Sequence, residues 1–386
     1  MKHRLILVAA AALVACAAAG PVQAAFNAAD LVYVPVVAHT TGLNDSVWRS
    51  DVSITNVGDT DAIDVALVFL PSGIRDNSSL FDGSRGREDW VGGRDSDGFG
   101  TVDPVLAEIP PGGTVVLEDV VETYWPDSGA SNGQGALVVF SYLADTLEDN
   151  GSRTYRDCVV NSRTFNIGTV YQPDPDNEGE FLELEGTFGQ NIAGVPWYNL
   201  ADPAAVLTDE DDNIVYDFSF EILDFGREDD AFRYNLGMVN VSDLQTSLTM
   251  SIEPIAADGS VITGTEGNGL NLVVNIPPLA HVQYSQILST IFSQEDLEQA
   301  RFKVSVLQWT SQGVETVPAF ISYGSLVDNV TNDPMTVMPT FAYPYDTECM
   351  WNPRDAPNEG PPNEEENKRR GVPGRVTARP IGMPAR

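Results

Sequence analysis

Trp48-Arg49-Ser50-Asp51-Val52-Ser53-Ile54-Thr55-Asn56-Val57-Gly58-Asp59 returns later in the chain as Phe232-Arg233-Tyr234-Asn235-Leu236-Gly237-Met238-Val239-Asn240-Val241-Ser242-Asp243. An aromatic residue, an Arg, an Asn-Val pair and an Asp recur in one register, the mark of a duplicated unit. Within the first copy Trp48, Val52 and Ile54 face one way, and Arg49, Asp51 and Thr55 the other; Phe232, Leu236 and Met238 repeat the pattern. Alternation with period two among β-branched residues predicts a strand. Trp48 and Phe232, at matched positions, read as core.

The likeness continues on both sides of this stretch. Val32-Tyr33 leads the first copy as Val215-Tyr216 leads the second, and Pro110-Pro111 is answered by Pro277-Pro278. After each Pro pair comes an apolar stretch with a short helical look, residues 115–125 and 282–292. Next come 136–142 against 302–309, then 159–166 against 320–329. Ile63, Val65, Leu67 and Phe69 on one strand face are matched by Leu248, Met250 and Ile252, after the hairpin turns Gly58-Asp59-Thr60-Asp61 and Ser242-Asp243-Leu244-Gln245. A strand with one apolar face must bury it against another layer. The expected architecture is all-β, with two tandem antiparallel β-sandwich domains, each carrying a short helix. A closed barrel is the competing arrangement, and strand order stays open.

Residues 1–24 read as an export signal: Lys2-His3-Arg4, then an apolar core from Leu5 to Ala19, too short for a membrane span. Two processing patterns compete. Val22-Gln23-Ala24 fits cleavage before Ala25, whereas Leu13-Val14-Ala15-Cys16 resembles a bacterial lipobox with Cys16 as the lipidated residue. Either one places the folded part outside the cytoplasm, secreted or periplasmic, with membrane attachment only through a lipid on Cys16. Beyond the signal, Cys158 and Cys349 are the remaining cysteines. An oxidising compartment permits a disulfide between them, and two separate thiols is the alternative. The expected divisions are a first domain at 25–200, with an insertion near 74–103, and a linker and first strand at 201–217. A second domain spans 218–346, and 347–386 is a Pro-, Gly- and Asn-rich disordered tail.

The net charge of −35 argues against nucleic acid as a partner, because such a body repels phosphates. It suits divalent cations better. Asp174-Pro175-Asp176-Asn177-Glu178-Gly179-Glu180-Phe181-Leu182-Glu183-Leu184-Glu185 has the ligand spacing of an EF-hand loop, with Asp174, Asp176, Glu178 and Glu185 as calcium ligands. Its flanks disagree, since Pro173 and Pro175 oppose a helix and 181–185 alternate like a strand; a plain acidic turn is the other reading. No other cofactor is expected. In the insertion, Trp90 is the candidate for stacking on a sugar or peptide, or for pinning its own loop.

Catalysis finds little support in the sequence. His39 and His281 stand one in each copy without metal-ligand spacing, and no phosphate-binding Gly loop follows a strand. The plan resembles secreted bacterial proteins built from tandem immunoglobulin-like repeats. The likeness rests on residues 48–56, 65–73, Ile109-Pro110-Pro111-Gly112 and 161–166, with 232–236 and Ile276-Pro277-Pro278 in the second copy, which has Gly324-Ser325-Leu326 where the first has Ser-Arg-Thr. The resemblance implies an immunoglobulin-like fold and is silent on activity. The expected role is a non-enzymatic binding or structural module, acting on an extracellular protein or glycan in surface attachment, matrix assembly or partner presentation. The alternative is a carbohydrate-binding or carbohydrate-processing protein that uses the insertion.

Overall fold

The computed structural model describes residues 28–339 apart from 43–45, 79–100, 127–132, 145–153, 174–180, 198–199, 201–205, 209–213, 218–219, 243–245, 257, 264–268, 295–296 and 312–317. It is predominantly β, in antiparallel sheets. The first half holds β1 (Leu31–Thr41), β2 (Val47–Asn56), β3 (Ile63–Pro71), β4 (Thr101–Ile109), β5 (Thr114–Leu117), α1 (Val120–Tyr124), β6 (Gln134–Leu143), β7 (Cys158–Pro173), β8 (Phe181–Ala193) and β9 (Val195–Pro196). A separate hairpin follows, β10 (Val206–Thr208) with β11 (Ile214–Asp217). The second half holds β12 (Phe220–Glu228), β13 (Phe232–Asn240), β14 (Thr246–Ala256), β15 (Leu272–Ile276), β16 (His281–Tyr284), α2 (Ile287–Thr290), β17 (Leu297–Ser311), β18 (Phe320–Asp328) and β19 (Pro334–Val337).

Both halves use one order of pairing. In the first, β4-β3-β6-β1 forms one set of strands, and β2 joins β5 and β7, with β8 outside β7. In the second, β15-β14-β17-β12 and β16-β13-β18-β19 take the same places. Even the irregularities match: the register shifts between Val34 and Val37 in β1 and between Leu223 and Gly226 in β12. The halves also differ. β1 pairs with β2 through His39↔Arg49, so the first half's strands run as one sheet that curls like half a barrel. The counterpart of β1 is β12; Val215-Tyr216 belong to the separate hairpin, so local sequence likeness had matched the wrong strand there. The stretches after the Pro pairs are part strand and part helix: β5 then α1, β16 then α2.

The repeated Asn explains why the motif recurs. Buried Asn56 donates from Nδ2 to the carbonyls of Asp61 and Ile109, and its Oδ1 accepts from the Gly58 N–H. Asn240 does the same with Thr246, Ile276, Pro277 and Ser242. A buried amide whose donors and acceptor are all engaged ties two strand ends to the turn between β2 and β3, and again between β13 and β14. Asp51 and Asn235, at another matched position, each accept the backbone N–H of the left-handed residue before the helix, Asp119 (φ 43°) and Gln286 (φ 50°).

Trp48 and Phe232 are not core residues. Both are half-buried; Trp48 donates its ring N–H to Ser46, and Phe232 lies under Arg227, 4.2 Å from the ring centre. They stand where their strands begin, and full burial starts one alternate position later, at Ser50 and Tyr234. The first core gathers Val52, Ile54, Val65, Leu67, Phe69 and Trp125, and the second Leu236, Met238, Leu248, Met250, Ile252 and Phe302.

Candidate functional site: the seam between the halves

Alternation along β13 sorts its side chains between two cores. Leu236 and Met238 enter the second core, whereas Val239 and, just past the strand, Val241 join the first, together with Leu279 and Ile321. The strands they meet are β1 and β6, which lie against β13, β18 and β16. β1, β3 and β6 are buried on both faces for most of their length. One face packs inward; the other, with Tyr33, Ala66, Val68, Val138 and Phe140, turns the opposite way and is also covered.

Polar groups cross the same seam. Gln134 on β6 donates to Gln283 Oε1 on β16 at 2.5 Å, Tyr323 OH on β18 donates to the same oxygen at 2.8 Å, and His281 Nε2 lies 2.8 Å from Tyr323 OH. Because the tyrosine proton is committed to Gln283, this network assigns the imidazole proton to Nε2. The two rings stack at 5.9 Å. Burial pushes His281 down to about 3, so the ring is neutral at physiological pH. Backbone contacts complete the joint: Gly73 N–H donates to the His281 carbonyl at 2.8 Å, and Asn77 donates to the carbonyls of Pro278 at 3.0 Å and Leu279 at 2.9 Å. Gly237 makes room, because a Cβ there would run into the Tyr323 ring. His281 is buried and neutral, with Nε2 held by the Tyr323 hydroxyl and Nδ1 without a hydrogen-bond partner, and it rivets the seam out of reach of solvent.

His39 sits in a second cluster, partly exposed. Its Nδ1 is 2.9 Å from Asp119 Oδ2 and its Nε2 3.6 Å from Glu122 Oε2, while Arg49 Nε approaches Asp119 at 3.5 Å. Both ring nitrogens already face carboxylates. The group clasps the end of β1 to α1. In the second half Glu228 follows the β12 register shift as His39 follows that of β1, and it accepts the N–H groups of Leu288 and Ser289 at 2.8 Å each. Different chemistry thus holds the same strand to the same helix.

Of the sequence-predicted site residues, Cys158 and Glu185 fall among the described residues. Cys158 is fully buried beside Ser141, and burial pushes its thiol up to about 12, which makes it inert. Cys349, Cys16, Trp90, Asp174, Asp176 and Glu178 lie outside the described residues. Glu185 lies in β8 opposite Thr169, four residues beyond the Pro173↔Phe181 pair that closes the acidic loop. The elements flanking that loop are strands. Among the described residues no three His, Cys, Asp or Glu side chains converge to hold a metal, and no helix is long and apolar enough to cross a membrane.

Sequence reading missed the seam, although two signals mark it. The runs at 31–38 and 65–71 are apolar almost without interruption, as a strand covered on both faces must be. Where the first copy has Thr55 and Val57, the second has Val239 and Val241, so the outward face of the repeat strand changes from mixed to apolar. No family model, curated protein or solved structure matches the chain.

Proposed function

We propose that this chain is a non-enzymatic extracytoplasmic module, built from two tandem immunoglobulin-like β-sandwiches, that serves surface attachment, matrix assembly or presentation of a partner. The observation that carries this reading is the seam. The two repeats share apolar core and a buried hydrogen-bond network, so the pair acts as one stiff body with a fixed separation between its ends. A spacer or scaffold needs that stiffness, and the two histidines that could serve acid-base chemistry are spent on holding strands together. Export through residues 1–24, with or without a lipid on Cys16, belongs to the same reading.

The test is to immobilise the mature protein and pass solubilised cell-envelope and matrix material over it, with a polysaccharide panel incubated in parallel. Retention of a partner without turnover is the expected outcome. Release of reducing ends from any polysaccharide would replace this reading with a carbohydrate-processing one.

A further inference from the structure

The faces that meet at the seam have counterparts that stay open. The first half's β1-β6 face meets the second half's β13, β18 and β16. Strand pairing places Ile222, Lys303, Ser251, Glu253 and Ile255 on the corresponding face of β12-β17-β14, each exposed in part except Ser251. Tyr33, Val138 and Ala66 of the covered face become Ile222, Lys303 and Ser251 here. Yet this face and its rim still carry large apolar side chains in water: Phe225 is 64% exposed, Val261 59%, Val273 53% and Leu307 49%. Isolated apolar residues on a surface are ordinary, but four associated with one sheet mark an interaction surface.

Phe225 adds an independent sign. It adopts φ 61°, a conformation that bulky residues avoid, inside the β12 register shift. Tyr234 OH braces the shift from within by donating to the Asp224 carbonyl, and Arg301 pairs with Asp224 at 2.9 Å from outside. Counting from the matched register shifts, its counterpart in β1 is Val36, which is buried with Ile192 and, from the other half, Tyr323. The first half therefore uses this position at the seam, and the second half holds an exposed Phe there.

We propose that the open β12-β17-β14-β15 face of one copy receives the open β5-β2-β7 face of a second copy, repeating between molecules the contact that joins the halves within one. The β5-β2-β7 face is the repeat counterpart of the face that covers the first half, and it too leaves apolar side chains exposed, Val116 at 57% and Val57 at 47%. Such an interface is heterologous, so it propagates head to tail into chains instead of closing as a dimer. Its mixed polar and apolar surface makes it reversible, in contrast to the permanent internal seam. This rests on the scaffold reading above and names its partner as the chain itself.

The experiment is sedimentation of the mature protein across a concentration series, with Val273→Glu blocking one face, Val116→Glu the other, and Val330→Glu as a control on an exposed turn. Each substitution is at a solvent-exposed site, and circular dichroism checks that the fold is kept. The expected result is a wild-type average mass that climbs with concentration, loss of that climb in each face variant alone, and its retention in the control. Mixing the two face variants should restore pairs and nothing longer, since each contributes one intact face. A wild-type protein that stays monomeric throughout, or association indifferent to Val273→Glu, overturns the proposal. A monomer that still retains an envelope partner would leave the scaffold reading standing, which keeps the two failures distinct.

Discussion

Glu221 shows how one side chain can tie stability to pH. It is buried on β12, and its Oε2 accepts both the N–H and the hydroxyl of Ser322 on β18. Desolvation outweighs those hydrogen bonds and pushes its pKa up to about 8, so the folded protein holds a proton that the unfolded chain releases at ordinary carboxylate pH. Between about 4.5 and 8 the native state therefore binds more protons than the unfolded one, and stability falls as pH rises through that window. Glu221→Gln copies the protonated form: its carbonyl keeps both Ser322 contacts and nothing is left to ionise. Thermal melts from pH 5 to 9 should show a declining midpoint in the wild type and a clearly flatter profile in the variant; parallel profiles would show that the proton lies elsewhere. No pattern in the sequence distinguishes Glu221 from the other acidic residues, because its burial depends on β18, about a hundred positions away.

Among the elements, β13 and β18 pair along their whole length, from Phe232↔Asp328 to Asn240↔Phe320. Two Tyr-over-Gly contacts set their spacing, one on each face: Tyr323 across Gly237 toward the seam, and Tyr234 across Gly324 toward the second core. A Cβ on Gly324 would meet the Tyr234 hydroxyl, which is itself held by the Asp224 carbonyl. Gly324→Ala should cost about 1–3 kcal/mol in denaturant unfolding, as overpacking does. Tyr234→Phe should cost less in the Gly324→Ala background than alone, because it removes the atom in the way. Strand existence was legible here from alternation and the repeated motif, whereas the partner of each Gly was not, since register between strands far apart in sequence leaves no local trace.

The molecule as a whole behaves as one unit because its first core includes Val239, Val241, Leu279 and Ile321 from the second half. Val239 is fully buried, and Val239→Asp would place an unpaired charge between the halves, at a cost of several kcal/mol. Calorimetry should show a single cooperative transition in the wild type and a large downward shift in the variant. A second transition left at its original temperature would mean that the halves fold independently. What the amino-acid order determined by itself was the all-β character, the duplication and the short helices. These are local: alternation, turn residues and a recurring Asn are written in neighbouring positions. Tertiary structure alone decided that Trp48 and Phe232 lie outside the core, that β12 and not Ile214–Asp217 leads the second half, and that the halves share a buried seam. Those outcomes turn on which sheet face finds a cover, and burial is a property of the assembled chain that no single segment can specify.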